Sequence, residues 1–216
     1  MKISKYKIMV LLVTFIFMVM GSCISDKGEL ADAQKPETDT IMRGYLPIVV
    51  EGKTWMWGSH PAIGGELRFS EYFSGDTLIG NVKYKKLFRY IIKNNSIEYV
   101  CALREKDGKV FCVESGQSDE SIIYDFSLKK GDQLSFSVSE TIVVDSVTYI
   151  KGQNVLSFTF YSGRETIKAD WIEGVGVCVG SLSKSHWYGA TGSPVLYYCE
   201  ENGKKIWTRE NSLGLP

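Results

Sequence analysis

From Tyr45 to about Trp207, apolar and polar residues alternate with a period of two. Leu134, Phe136 and Val138 alternate with Gln133, Ser135 and Ser137, and Leu156, Phe158 and Phe160 with Ser157 and Thr159. In a third run Val82, Tyr84, Phe88 and Tyr90 share one face, and Lys83, Lys85 and Arg89 the other. Strict alternation predicts strands with one buried face, the apolar set reading as the inner one. Turn signals separate the runs at Gly80-Asn81, Asn94-Asn95, Asp107-Gly108, Gly131-Asp132, Lys151-Gly152, Ser162-Gly163 and Asn202-Gly203. Such pairs supply the positive φ angles of tight turns. Runs joined that closely must be antiparallel neighbours, because parallel strands need long crossovers. No segment after residue 22 carries a helical stripe of useful length. The pattern predicts an all-β chain, an antiparallel β-meander forming a sandwich or barrel-like single domain over residues 44–210, with a tail at 211–216.

The start of the chain follows a different rule. Lys2, Lys5 and Lys7 precede an almost unbroken apolar run, Ile8 to Met20, which ends at Gly21-Ser22-Cys23. A basic start, an apolar stretch and small residues form the layout of a secretory signal. The run is short of the ~20 residues of a membrane-spanning helix, the alternative reading. Cysteine directly after the small residues resembles a lipobox, the recognition site of bacterial lipoprotein signal peptidase. That resemblance implies that residues 1–22 are a signal peptide and that Cys23 is lipidated, holding the protein on a membrane. A single acyl chain holds only marginally, two or more hold firmly. Residues 24–43 are polar, rich in Asp and Glu and without periodic apolar positions, and read as a disordered tether. Twenty such residues reach roughly 25 Å on average.

Charge removes one class of partner. The chain carries 25 basic and 25 acidic residues. Three of the lysines and none of the acids lie within residues 1–22, so the mature chain is net acidic. That speaks against nucleic acid, whose partners show basic patches. Beyond Cys23 the cysteines are Cys101, Cys112, Cys178 and Cys199. A two-residue turn at Asp107-Gly108 places Cys112 opposite Leu103 and makes Cys101 its diagonal neighbour. Diagonal Cβ atoms lie about 7 Å apart, against the ~3.8 Å of a disulfide. Most of the four are therefore expected to be buried free thiols.

The chemistry-bearing residues are few. His60 and His186 are the only histidines, and a catalytic zinc site usually takes three protein ligands. No metal and no cofactor is expected. No G-x-S-x-G elbow is present. Asp170 and Glu173 invite comparison with a glycosidase carboxylate pair, but three residues apart on a strand they point to opposite faces. The economical reading packs Trp171 into the core and gives Glu173 to backbone groups of the next turn. Asp145 reads as a solvated or turn-bonded acid. Trp55 and Trp57, two apart on a strand, read as core. His186, Trp187 and Tyr188 stand beside a Gly- and Ser-rich loop and are the candidate ligand-binding residues.

GDTLIGNVKYKKLFRY, ALREKDGKVF, IIYDFSLKKGDQL, VVDSVTYIKGQ and DWIEGVGVCVG occur here in that order. The set resembles an uncharacterised all-β domain of secreted and lipid-anchored Bacteroidetes proteins, over roughly residues 45–207. The resemblance implies no activity and no catalytic residue. The expectation is a lipid-anchored cell-envelope protein of the bacterial outer membrane, periplasmic or surface-exposed, acting as a binding or interaction module. Its partner would be a glycan or an envelope protein. An unrecognised hydrolase and a structural envelope component without a small ligand are the alternatives. A cleft holding two or more carboxylates beside His186 would favour the enzyme, a shallow exposed aromatic shelf the binder, and a smooth polar surface the structural role.

Overall fold

The computed structural model describes residues 44–58, 68–136, 141–162, 165–183 and 194–209. Six strands follow one another first: β1 (Lys53–Gly58), β2 (Arg68–Ile79), β3 (Val82–Ile91), β4 (Ser96–Lys106), β5 (Lys109–Glu114) and β6 (Ser121–Asp125). Then come β7 (Gln133–Ser135), β8 (Thr141–Ile150), β9 (Gln153–Ser162), β10 (Glu165–Ile172), β11 (Gly176–Val177), β12 (Val195–Glu201) and β13 (Lys204–Thr208). They form an eight-stranded sheet, β13-β12-β1-β2-β3-β4-β5-β6, and a five-stranded sheet, β11-β10-β9-β8-β7. Every pairing among the described residues is antiparallel, and the sheets include a curled half-barrel. The antiparallel all-β architecture expected from the alternation, a sandwich or barrel-like domain, is the one observed.

The turns form for the predicted reason. Asp107 and Gly108 both have positive φ, 52° and 74°, as do Lys151-Gly152 and Asn202-Gly203. Two consecutive left-handed residues give the turn whose twist matches paired strands. Gly131-Asp132 is the exception. It does not join neighbours, because β6 belongs to the larger sheet and β7 to the smaller. Here the chain changes sheets, and the Asp132 carboxylate accepts the Lys129 amide at 2.9 Å to hold the bend. Curvature comes from extra residues in single strands. Gly75, at φ 71°, lies where the β2–β3 register slips, and Val100 is the extra residue of β4 facing β3. Such bulges bend a strand and increase its twist.

One core lies between the sheets. Trp55, Trp57, Phe73, Leu87 and Leu103 of the larger sheet join Leu156, Phe158, Trp171 and Val177 of the smaller, all buried. Trp55 and Trp57 are core residues, as their spacing predicts, and Trp55 donates its indole N–H to the Val175 carbonyl at 2.7 Å. The segment before β1 ties the sheets together. Leu46 N–H donates to Glu173 Oε1 at 2.7 Å, while Ile48 N–H and Val49 N–H donate to the Glu105 carboxylate at 3.2 and 2.8 Å. The Tyr45 hydroxyl also donates to Glu105. Ile48 is fully buried between these anchors. Lys53 donates to the carbonyls of Pro47 and, at 2.8 Å, Gly174.

The cysteine register is the expected one, with Leu103 opposite Cys112 and Cys101 opposite Glu114. Cys101, Cys112, Cys178 and Cys199 are free thiols. Burial pushes Cys178 and Cys199 up to about 12. Cys101 is raised first by its hydrogen bond with Cys112 and then by burial. Only thiolates react readily. Native protein is therefore expected to leave all four unmodified by an aromatic disulfide reagent at neutral pH. After denaturation without reductant all four should titrate. Rapid labelling of Cys101 or Cys199 in the native state would contradict this packing.

Candidate functional site

β3 inverts the expected arrangement. Val82, Tyr84, Phe88 and Tyr90 share one face with Lys86, and Lys83, Lys85 and Arg89 the other, as the alternation predicts, but the core is on the side of Leu87 and Arg89. Leu87 is fully buried there, whereas Phe88 and Tyr90 are half-exposed and Val82 is exposed. Arg89 reaches the core face and pairs through Nη2 with Glu71 Oε1 at 2.7 Å. Glu71 is completely buried, and its Oε2 accepts the Leu182 amide at 2.9 Å. Arg89 also bonds the exposed Glu98 at 3.0 Å and lies over the Phe69 ring, 4.6 Å from its centre. Burial holds the Glu71 carboxyl above the usual carboxylate range, against the opposing pull of Arg89.

The aromatic side of β3 faces out with its neighbours. Along one row across the larger sheet lie Thr54, Tyr72, Phe88 and Tyr99. Along the next lie Tyr198, Met56, Ser70, Tyr90 and Ile97. Alternation forces this placement, because Trp55, Trp57, Phe69, Glu71, Leu87 and Arg89 take the core face between them. Tyr72 and Phe88 are near parallel, 6.2 Å apart at 26°, and Tyr99 meets Phe88 edge-on at 5.7 Å. Ile97 is 62% exposed and Tyr99 39%. The charges in these rows lie at the β12–β13 end, where Glu200 pairs with Thr54 on one side and with Lys205 on the other. Lys86 and Lys205 sit at the margins over the rings of Phe88 and Tyr198. Farther along the same face, Tyr84, Ala102 and Val113 are buried, with Arg104 and Glu120 paired beside them. In the aromatic rows Ile97 and Tyr99 are exposed, Tyr72, Phe88, Tyr90 and Tyr198 are partly exposed, and Ser70 is buried beneath them.

A groove of about 740 Å³ runs between the segment before β1 and the β4–β5 hairpin, lined by Tyr45, Pro47, Tyr84, Leu103, Glu105 and Phe126 among others. Two of its acids, Glu105 and Asp76, are engaged. Glu105 accepts the segment's amides, and Asp76 is held below the usual range by Lys83 and Lys85, at 2.6 and 2.9 Å. Among the described residues no group of three His, Cys, Asp or Glu side chains could hold a metal ion.

The carboxylates singled out from sequence are each hydrogen-bonded, and Glu173 serves Leu46 and Asn154, distant in sequence, in place of the next turn expected for it. Asp170 accepts the Ser157 hydroxyl at 2.6 Å, and Asp145 that of Thr159 at 2.6 Å. Glu173 is buried, with Oε1 on Leu46 and Oε2 accepting the Asn154 side-chain amide at 2.6 Å. Asp170 and Glu173 therefore serve different neighbours and form no pair. Cys23, His60, His186, Trp187 and Tyr188 lie outside the described residues. The outer rows escaped the sequence reading because alternation cannot say which face is covered. One signal was available: Leu87 falls on the charged face of β3, and Lys86 falls on the other face with two tyrosines, amphipathic company for a core. Comparison of the chain with protein-family models, curated proteins and solved structures finds no match.

Proposed function

We propose that this protein is a lipid-anchored binding module of the bacterial cell envelope, held on the outer membrane through Cys23 and facing the periplasm or the surface. One observation supports the binding half above the rest: an outward-facing aromatic row on a strand whose Arg89 pairs with the buried Glu71 on the core side. A buried ion pair and an exposed apolar patch are each informative departures from the usual distribution, and β3 carries both. Aromatics placed outward at the expense of a buried Glu71–Arg89 pair have a use on that surface. The engaged acids of the groove give the hydrolase alternative no comparable support. The likeness to the Bacteroidetes domain and the lipobox at Cys23 support the location.

Two experiments test the halves separately. Cys23→Ala should abolish incorporation of a fatty-acid probe in cells; equal labelling of variant and wild type would remove the anchor. A photo-crosslinking amino acid at Tyr99 should yield an adduct in intact cells, whether glycan or protein, that the same group at Lys130 does not. No adduct from Tyr99 would remove the binding role.

A further inference from the structure

We infer that the ligand of the outer shelf is an uncharged polysaccharide chain lying across strands β2, β3 and β4. The inference rests on the binding reading above and adds the chemistry of the ligand. Charge comes first. Tyr72, Phe88, Tyr99, Tyr90 and Ile97 carry no formal charge themselves, so over these side chains nothing of their own compensates a phosphate, a carboxylate or an ammonium. The marginal cations Lys86 and Lys205 already rest on ring faces. A neutral ligand loses nothing there, and a charged one is desolvated without a partner.

Shape comes next. The rows make a shelf and not a pocket, whereas small-molecule sites are concave and bury most of their ligand. An extended chain fits an open shelf, because each unit adds a contact. Tyr72 and Phe88 are near parallel on adjacent strands, and Tyr99 stands edge-on beside them as a wall. A pyranose presents one face of C–H bonds and a rim of hydroxyls. That face covers a ring, while the rim bonds the polar tips that tyrosines provide. The hydroxyl of Tyr90 is already committed to Asn95, which leaves Tyr72 and Tyr99 for that role.

A folded protein, including a second copy of this chain, fits less well. The two rows span nine uncharged residues and Glu200, against roughly 20–30 residues per side in a stable protein interface. Most of those rings are also half-covered by their own neighbours, so the apolar area left to gain is small.

The test is native affinity electrophoresis of the full chain through gels containing a soluble neutral polysaccharide, with xyloglucan, galactomannan, amylopectin and dextran in separate gels and alginate as the anionic control. At least one neutral polymer should retard wild type equally at low and high salt, and alginate should not. Tyr99→Ala, at an exposed ring, should weaken retardation at least tenfold, and Phe88→Ala with Tyr99→Ala should abolish it. The circular dichroism of both variants should remain that of wild type. Tyr99→Phe, which keeps the ring and removes the hydroxyl, should retain partial retardation. Failure of every neutral polymer, retardation by alginate alone, or retardation unchanged in Tyr99→Ala overturns the inference. So does a concentration-dependent dimer in light scattering that Tyr99→Ala dissolves. An adduct to protein from position 99 combined with no polysaccharide retardation overturns this inference and leaves the broader binding role standing.

Discussion

Trp171→Ala is expected to lower the stability of the domain by about 3–5 kcal/mol, the usual cost of removing a core aromatic. For a domain of this size that is a fall of roughly 10 °C in Tm. Trp171 is fully buried on β10, and its ring meets Phe158 at 4.9 Å, Tyr124 at 5.2 Å, Phe136 at 6.3 Å and Phe126 at 6.4 Å. Tyr124 belongs to the larger sheet, and Phe158 and Trp171 to the smaller. The indole is therefore a principal contact between layers, and alanine would leave a cavity lined by four rings. The surroundings cannot easily collapse into it, because Tyr124 is fixed by its hydroxyl on the Leu182 carbonyl at 2.9 Å. Trp171→Phe, which keeps part of the ring volume, should cost less than half as much. A thermal melt of Trp171→Ala within about 2 °C of wild type would show that the sheets are not packed through this residue.

Glu71 should give the second large effect, and its two substitutions should act in opposite directions at neutral pH. Glu71→Ala removes one partner of a buried ion pair and strips the Leu182 amide of its acceptor, a change expected to cost about 3 kcal/mol. That figure is the low end of the usual range because Arg89 is a quarter exposed and keeps Glu98. Glu71→Gln retains the shape and an acceptor but not the charge. Burial raises the native pKa of Glu71 above the ordinary carboxylate value, so the folded state binds its proton more tightly than the unfolded chain does. The stability this group contributes is then fully present below the unfolded value of about 4.3 and is lost as pH rises through the raised native pKa. Wild type and Glu71→Gln should melt together at acid pH, and the Gln variant should melt higher at neutral pH. The comparison cancels the opposite trend of Asp76, Glu120 and Asp125, whose native pKa values lie low and which lose stability on acidification. A Gln variant less stable at neutral pH than at acid pH, relative to wild type, would reverse the assignment.

The elements were legible in the sequence and their sidedness was not. Hairpins at Asp107-Gly108, Lys151-Gly152 and Asn202-Gly203 are local events, decided by residues that tolerate positive φ. The burial of Trp55, Trp57 and Trp171 followed from strand parity and size. The fate of β3 depended on partners distant in sequence. Leu87 meets Phe73 and Cys101 on the core face, and Glu71 arrives from β2 to neutralise Arg89. Once a buried acid accepts a cation, period-two alternation reads correctly and points the wrong way. Gly131-Asp132 misled for a related reason: a tight bend looks the same in sequence whether it returns to the same sheet or departs for another. Glu105 gave no signal, because its duty is to the amides of Ile48 and Val49, more than fifty residues earlier.

The fastening of the segment before β1 decides how the domain would carry a load applied from its N-terminal side. Its amides are gripped by Glu173, at the end of the smaller sheet, and by Glu105, on β4 of the larger. Tension at residue 44 would first strain the Tyr45 hydroxyl on Glu105 and Leu46 against Glu173, then Ile48 and Val49 against Glu105, with the buried Ile48 side chain still seated between the anchors. Force would divide between both sheets before reaching β1, whose own hydrogen bonds to β2 and β12 would be loaded last. A domain pulled from its N-terminal side would thus rupture side-chain clasps, which re-form quickly, before its strand pairing is disturbed.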